Sequence, residues 1–293
     1  MSPEILQPEY RWLLSALVFL FGLCIGSFLN VVIYRLPLML QREWHQDALF
    51  QLQLDDEIPT VPSPRFNLAF PPSACPGCGQ KIQPWQNIPM VSYLFLRGRC
   101  HGCRQPISCR YPLVELATGV LSVVVLWQFG PSWQTVALLL LTYLSIAMVG
   151  IDADHHLLPD VLTLPLLWLG LLLNTASLFV PLADAVWGAA LGYGVLWSVF
   201  QVFRLATGKE GMGFGDFKLL AAFGAWFGWQ ILPGIILLSS LTGTLYGAYL
   251  MLYHKSNSQT PMPYGPFIAG AAWALALFPK ELSWLMLSAP LAQ

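Results

Sequence analysis

The chain has 293 residues, of which 56% are hydrophobic and only 10% are charged, and its formal net charge is −1. An average soluble domain carries about 25% charged residues, so this composition excludes an ordinary soluble domain and favours a membrane protein. The near-neutral charge, with no basic patch outside one loop, also argues against nucleic-acid binding.

The first predicted element is a membrane helix over residues 12–34, a run of 23 positions without a charge. A helix needs about 20 apolar residues to cross the hydrocarbon core, so this run is long enough. A polar stretch rich in Pro, Gln and Asp follows, from Arg35 to Arg110. Its mixed character predicts a domain outside the membrane.

Two pairs of cysteines in this polar stretch predict a metal site. The pairs are Cys75 with Cys78 and Cys100 with Cys103, each with two residues between the cysteines. Such pairs place four thiolates around a tetrahedral zinc ion, and four thiolates leave no open position for substrate. We therefore expect one structural Zn²⁺. The alternative is two disulfides, which would require an oxidising compartment.

Three further residues near these pairs have ordinary interpretations. Cys24 and Cys109 are expected to be ordinary cysteines, one in a membrane helix and one at a helix entrance. His101 is expected to face solvent rather than replace a thiolate.

From Leu113 onward the chain is almost continuously apolar, and its breaks predict seven further helices, eight in all. The breaks lie near residues 130, 152–160, 181–184, 204–216, 229–233 and 253–266. The segment 217–229 has only 13 residues, about 20 Å of helix, which is short for a full crossing. If that segment is re-entrant, the last two helices reverse their orientation.

Basic residues predict the orientation, because short cytoplasmic loops accumulate Lys and Arg. Eight of the fourteen lie between Arg35 and Arg110, so we expect that domain in the cytosol. Counting crossings from there adds four more to the same side: Arg204, Lys209, Lys218 and Lys255. The predicted division is 1–34 for the N-terminal segment and first membrane helix, 35–112 for a cytosolic zinc-binding domain, and 113–293 for a membrane helix bundle.

Ionisable side chains inside membrane spans are costly, which makes the acids near helix ends functional candidates. Asp152 closes the third predicted helix and Asp216 opens the sixth. The charge-derived topology places both at the cytosolic ends of their helices, so the two carboxylates can meet. Two carboxylates that share a proton can activate a water molecule, which is aspartyl-protease chemistry. For Asp154 and Asp160 we expect helix caps or solvated loop residues instead.

At this point the sequence resembles the bacterial type IV prepilin peptidase family, also called leader peptidase and N-methyltransferase. The resemblance extends from residue 22 to residue 270. The residues that carry it are Gly22, Gly26, Ser27, Asn30, Arg35 and Pro37; the two cysteine pairs; Arg110, Tyr111, Pro112 and Glu115; Asp152 to Asp160; Gly213, Gly215, Asp216 and Lys218; and Pro263, Tyr264, Gly265 and Pro266.

The resemblance implies a multi-pass enzyme of the bacterial inner membrane, with its active site on the cytosolic side. It implies that Asp152 and Asp216 cleave the short basic leader of prepilins or pseudopilins. The expected partners of this protein are therefore those substrates and membrane lipid, and no nucleic acid. It also implies methylation of the new amino terminus with S-adenosylmethionine.

The residues that the resemblance offers for the methyl donor are Asn30, Arg35, Glu43, Gly98, Arg99 and Glu115. Relatives commonly carry Lys at the position of Arg99, and for Arg35 and Arg99 a positive-inside anchor is an equal alternative. Trp85, Tyr93 and Phe95 can face a sulfonium, but we expect them to pack within the small zinc domain.

Two rivals remain open at the level of sequence. One is a relative that cleaves without methyl transfer, against which the cysteine-bearing domain argues. The other is a transporter in which the acids form a proton pathway. Transporters usually contain internal repeats, and the sequence shows none.

Overall fold

In a computed structural model of the chain, residues 8–52, 66–209, 211–254 and 262–286 are described. These residues form α-helices and short 3-10 turns without a β-strand, apart from two isolated bridges. The predicted all-α class is therefore confirmed for the described part of the chain. The helices are α1 (Pro8–Gln51), α2 (Val91–Phe95), α3 (Arg110–Phe129), α4 (Trp133–His155), α5 (Asp160–Asn174), α6 (Leu182–Thr207), α7 (Phe214–Phe227), α8 (Leu232–His254) and α9 (Gly265–Leu277).

Five helical stretches within the described residues are long and apolar enough to cross a membrane. They are α1, α3, α4, α6 and the stretch Trp229–Tyr253, which includes most of α8. The chain is therefore a polytopic membrane protein. The first helix does not end near residue 34 but continues to Gln51. Lys255, which the charge count used, lies outside the described residues.

The predicted total of eight crossings is not confirmed. The three remaining apolar helices, α5, α7 and α9, have 15, 14 and 13 residues. At 1.5 Å per residue they measure about 20 to 23 Å, less than the roughly 30 Å of a hydrocarbon core.

The chain divides into two compact units, Met1–Thr135 and Val136–Gln293. The boundary between these units, at residues 135 and 136, does not test the predicted domain boundaries after residues 34 and 112, and those boundaries stay a prediction. In the first unit, α1 packs on α3 through two glycines. A Cβ on Gly22 would lie 2.8 Å from Cα of Gly119, and one on Gly26 would lie 2.7 Å from Cα of Glu115. Small residues four apart let two membrane helices approach closely.

The second unit is built around α7. Its side chains from Phe217 onward are buried almost without exception, against α5, α6 and α9. A helix that is apolar on every side is typically enclosed by other helices. Because α7 is surrounded by protein in this way, it does not need the length of a membrane-spanning helix.

The C-terminal end of α7 is fixed by Asn174, a fully buried residue at the end of α5. Its Nδ2 donates to the carbonyls of Ala225 and Trp226, at 2.9 Å each. Its Oδ1 accepts from the backbone N–H groups of Phe179 and Val180. The last carbonyls of a helix have no partner within the helix, so this one amide satisfies two of them.

Candidate active site and metal site

Asp152 lies in the last turn of α4 and is 5% exposed. Its Oδ2 accepts a hydrogen bond of 2.9 Å from the backbone N–H of Gly265, the first residue of α9. The first N–H groups of a helix lack intrahelical acceptors, and the positive end of the helix dipole lies there. The start of α9 therefore stabilises a negative charge that the end of α4 would disfavour.

Asp216 lies in the first turn of α7 and is 8% exposed. The N-cap of that helix is Gly213, which has no side chain to shield the carboxylate. A Cβ there would lie 4.0 Å from Oδ2 of Asp216. The N-terminal position on α7 favours a carboxylate by the same dipole argument.

The structure brings the two aspartates together. The two carboxylates lie within range of a direct electrostatic interaction. Leu158 packs beside both: a Cβ on Gly215 would lie 2.7 Å from Cβ of Leu158, and one on Gly265 would lie 3.3 Å from its Cδ1. Two nearly buried carboxylates, one in the first turn of α7 and one hydrogen-bonded to the start of α9, can share a proton.

The other two acids of this region lie at the surface. Asp154 is exposed at the end of α4. Asp160 is the first residue of α5, and both of its carboxylate oxygens accept hydrogen bonds from Nζ of Lys218, at 2.6 and 2.8 Å. This pair joins α5 to the first turn of α7. Because the side chain of Asp160 is 54% exposed, this ion pair contributes little to the stability of the fold.

The four cysteines Cys75, Cys78, Cys100 and Cys103 form one cluster between α1 and α3. Their sulfur atoms all lie within 4.8 Å of one another, with 3.7 Å between Cys75 and Cys103 and 4.0 Å between Cys78 and Cys100. A tetrahedron with Zn–S bonds of about 2.3 Å has edges of about 3.8 Å. The four thiols therefore fit a tetrahedral metal ion.

Two similar turns hold this cluster. The N–H of Cys75 donates to the carbonyl of Gln80, and the N–H of Cys100 donates to that of Gln105, each at 2.9 Å. Backbone N–H groups of Cys78 and Gly77, together with the thiol of Cys100, lower the pKa of Cys75 to about 6. The thiolate is the form that binds a metal.

The neighbours of the cluster partly match expectation. His101 is exposed and packs edge-on against Trp85, as expected for a residue that is not a ligand. Tyr93 is half-buried, with its hydroxyl against Gly98. The expectation that Phe95 packs inside the domain is wrong, because its side chain is 81% exposed.

Two of the six residues expected to hold the methyl donor lie together between α1 and α3. Asn30 donates through Nδ2 to the carbonyl of Tyr111 at 3.1 Å, one turn before Glu115. Glu115 is 8% exposed, and it accepts hydrogen bonds from the N–H of Met90 at 2.8 Å and from Ser27. Both side chains are polar groups held in a buried interface.

The other four are distributed over the first unit. Arg35 is buried, and its guanidinium donates to the carbonyls of Asn67, Leu68 and Pro71. Glu43 is exposed further along α1. Gly98 and the exposed Arg99 immediately precede the second cysteine pair, and Gly98 has a φ of +66°. The role of all six stays a prediction.

Gly265 and Leu158 are the residues of the aspartate site that sequence reasoning did not assign. Both were within stretches that carried the resemblance, Pro263 to Pro266 and Asp152 to Asp160. The signal that could have found Gly265 is a glycine at the start of a helix, where a free N–H meets an acid.

Comparison with known proteins agrees with this arrangement. Residues 20–129 match the Bacterial Peptidase A24 N-terminal domain, and residues 138–248 match the Type IV leader peptidase family. A protein of Stutzerimonas stutzeri named prepilin leader peptidase/N-methyltransferase is 54% identical over 273 residues, which cover 93% of this chain and 92% of that protein. The chain belongs to the prepilin leader peptidase/N-methyltransferase family.

Other relatives with this name have similar coverage. A Pseudomonas aeruginosa protein is 55% identical over 264 residues, 90% of each chain. An Aeromonas hydrophila protein is 55% identical over 272 residues, 93% of each chain. No solved structure matches the chain significantly. Both family matches fall largely within one structural unit each, the leader peptidase match in the unit that holds the aspartates.

Proposed function

We propose that this protein cleaves the basic leader peptide of prepilins or pseudopilins and then methylates the new amino terminus with S-adenosylmethionine. The observation that carries the proposal is the pairing of Asp152, which is hydrogen-bonded to the start of α9, with Asp216 in the first turn of α7. The chain is related over nine-tenths of its length to prepilin leader peptidase/N-methyltransferases.

The aspartate pair has the properties that peptide hydrolysis needs. One carboxylate takes a proton from a water molecule, whose oxygen attacks the scissile carbonyl carbon. The partner, when protonated, hydrogen-bonds the carbonyl oxygen, and a proton then passes to the leaving amine as the C–N bond breaks. Two nearly buried carboxylates that lie close together favour the singly protonated pair that this sequence of steps requires.

Methyl transfer is assigned to the first unit. Bound S-adenosylmethionine supplies an electrophilic methyl group on sulfur. The new α-amine has a reference pKa near 8 and must lose its proton before its nitrogen attacks that methyl carbon, as the carbon–sulfur bond breaks and the thioether leaves. Asn30 and Glu115 are the strongest of the six predicted residues, because both are buried on helices that pack together, α1 and α3, and Glu115 offers a carboxylate as a proton acceptor.

The cysteine cluster is proposed to hold one structural zinc ion. Four sulfur atoms at tetrahedral spacing leave no ligand position for substrate, so the ion would hold the two turns together rather than take part in either reaction.

We place the protein in the bacterial inner membrane with the cysteine domain and both aspartates on the cytosolic side. The support is the concentration of Lys and Arg between residues 35 and 110, since basic residues stay on the cytoplasmic side. A basic leader peptide would also be found on that side.

The test uses purified protein in lipid, a prepilin peptide and S-adenosylmethionine with a labelled methyl group. We expect two products, the free leader and a mature peptide that carries the label on its first residue. Cleavage without label would support a peptidase that does not methylate. Absence of both products with several prepilins would contradict the proposal.

A further inference from the structure

The short helix α2 presents an apolar face that no part of the described chain covers. Val91, Leu94 and Phe95 lie on α2 at three- and four-residue spacing, and Ile88 precedes this helix, with its carbonyl accepting a hydrogen bond from the N–H of Ser92. Leu94 is 69% exposed and Phe95 is 81% exposed. An exposed apolar cluster on a domain outside the membrane marks a contact with a partner or a membrane.

The segment that carries this face is rich in positive charge, although the Glu115 carboxylate accepts from the N–H of Met90 beside α2. From residue 66 to residue 114 the chain has five Lys or Arg and no Asp or Glu. Lys81, Arg97, Arg99 and Arg104 are exposed. Four thiolates around a divalent ion contribute a charge of only about −2, so the domain stays positive with its metal bound.

The domain is also tethered at the membrane surface. It lies between α1 and α3, two membrane-crossing helices that touch each other closely at Gly22 and Gly26. Only 14 residues separate Phe95 from Arg110, the first residue of α3. An apolar face with basic neighbours, held this near a bilayer, has the composition of an interfacial membrane contact.

We propose that the face formed by Ile88, Val91, Leu94 and Phe95 inserts among anionic lipid headgroups and thereby docks the cysteine domain on the membrane. The alternative occupant is the substrate. The leader peptide proposed above is itself basic, so the positive charge around α2 repels it, whereas the same charge attracts anionic lipid. The inference concerns lipid contact and does not depend on either enzymatic activity.

The test replaces Phe95 with the photoreactive residue benzoylphenylalanine in the full chain. The protein is reconstituted in nanodiscs of phosphatidylcholine, alone or mixed with phosphatidylglycerol, and adducts are identified by mass spectrometry after irradiation. We expect lipid adducts at residue 95 whose yield rises about fivefold or more with the anionic lipid. The yield should fall again in 1 M salt, where the screening length is about 3 Å.

The matched control is the same probe at Trp12, which is 69% exposed on the membrane helix α1. Its lipid adducts should not depend on lipid charge. A probe at Leu94 replaces the one at Phe95 if the latter loses the metal content of the parent protein. The proposal would be overturned if neither residue 95 nor residue 94 formed lipid adducts, or if the adduct yield were equal with and without phosphatidylglycerol. Capture of added prepilin peptide in place of lipid would also overturn it.

Discussion

The carboxylate of Asp152 occupies a position that its own helix disfavours. It lies in the last turn of α4, where the helix dipole is negative, and its compensation is the N–H of Gly265 at 2.9 Å. That N–H is accessible because Gly265 has no side chain: a Cβ would lie 2.8 Å from Oδ2 of Asp152. The glycine therefore fixes where the carboxylate points.

This contact leads to a prediction for Gly265→Ala. The added methyl group displaces the end of the Asp152 side chain, and a misplacement of about 1 Å can cost about 100-fold in rate. We expect prepilin cleavage to fall by about that factor with little change in thermal stability, because a carboxylate end can move at small energetic cost. Initial rates of peptide cleavage and a melting curve measure the two effects.

Gly270→Ala is the matched control for this change. It lies on the same helix, and a Cβ there meets nothing within 4 Å. A normal cleavage rate in Gly265→Ala, or an equal loss in both variants, would argue against a positioning role for the N–H of Gly265.

The cysteine cluster gives a second prediction at the residue scale. Cys75→Ser removes one of four ligands, and the remaining three thiolates cannot complete the tetrahedral site. We expect the zinc content of freshly isolated, reduced protein to fall well below one ion per chain, with faster proteolysis between residues 66 and 109. Elemental analysis and limited proteolysis are the measurements.

The control for that change is Cys109→Ser, an exposed cysteine outside the cluster, which should keep its zinc. Full zinc content in Cys75→Ser, or no zinc in the unaltered protein, would remove the metal site from the account.

At the scale of elements, the packing of α7 explains how a helix of only 14 residues can hold the aspartate proposed to be catalytic, Asp216. It is enclosed by α5, α6 and α9, and Asn174 satisfies its last carbonyls. Packing along α7 therefore fixes the position of its first turn, which contains Asp216. The closest packing is with α6, where glycines take the place of side chains.

Replacement of Gly192 by Ala tests this packing. A Cβ at that position of α6 would lie 2.8 Å from the carbonyl oxygen of Leu220 and 2.9 Å from Cα of Ala221, both backbone atoms of α7. Overpacking of this kind typically costs about 1 to 3 kcal/mol. We expect a lower melting temperature and slower cleavage, measured on protein in lipid.

Gly194→Ala, on the same helix α6, is the control variant, because a Cβ at that position would meet no atom within 4 Å. Equal stability of the two variants would show that α6 and α7 tolerate separation. The close contact would then not be what holds Asp216.

The elements were largely predictable from the sequence, because runs of apolar residues and their interruptions are direct signals. The seven helices from α3 to α9 match seven predicted ones, although α5 already ends at Asn174, before the break predicted at 181–184. The end of α1 was not predictable in this way. The helix continues through charged residues to Gln51, and charge ends a membrane span without ending a helix.

At the scale of the whole molecule, the two structural units correspond to two proposed activities. The unit Met1–Thr135 holds the cysteine cluster and all six residues proposed for the methyl donor, and the unit Val136–Gln293 holds both aspartates. The sequence predicted the aspartates and cysteines, because acids near membrane helices and paired cysteines are rare patterns with few explanations.

Contacts made by backbone atoms could not be predicted, because they carry no side-chain signature. The N–H of Gly265 and the carbonyls that bind Arg35 depend on where distant segments meet. The hydrogen bond from Asn30 to the carbonyl of Tyr111 likewise depends on the packing of α1 against α3 through glycines.

The central claim, that Asp152 and Asp216 together cleave the leader, is tested most directly by the cleavage rate of Asp152→Asn and Asp216→Asn. Asparagine keeps the shape of the side chain but cannot exchange the proton. The exposed neighbour Asp154→Asn serves as the control, and methylation of a pre-cleaved peptide shows that each variant is folded. We predict that both variants lose cleavage by about 10⁴-fold or more and keep methyl transfer, while Asp154→Asn cleaves normally. Cleavage within tenfold of the unaltered protein in either variant would contradict the account.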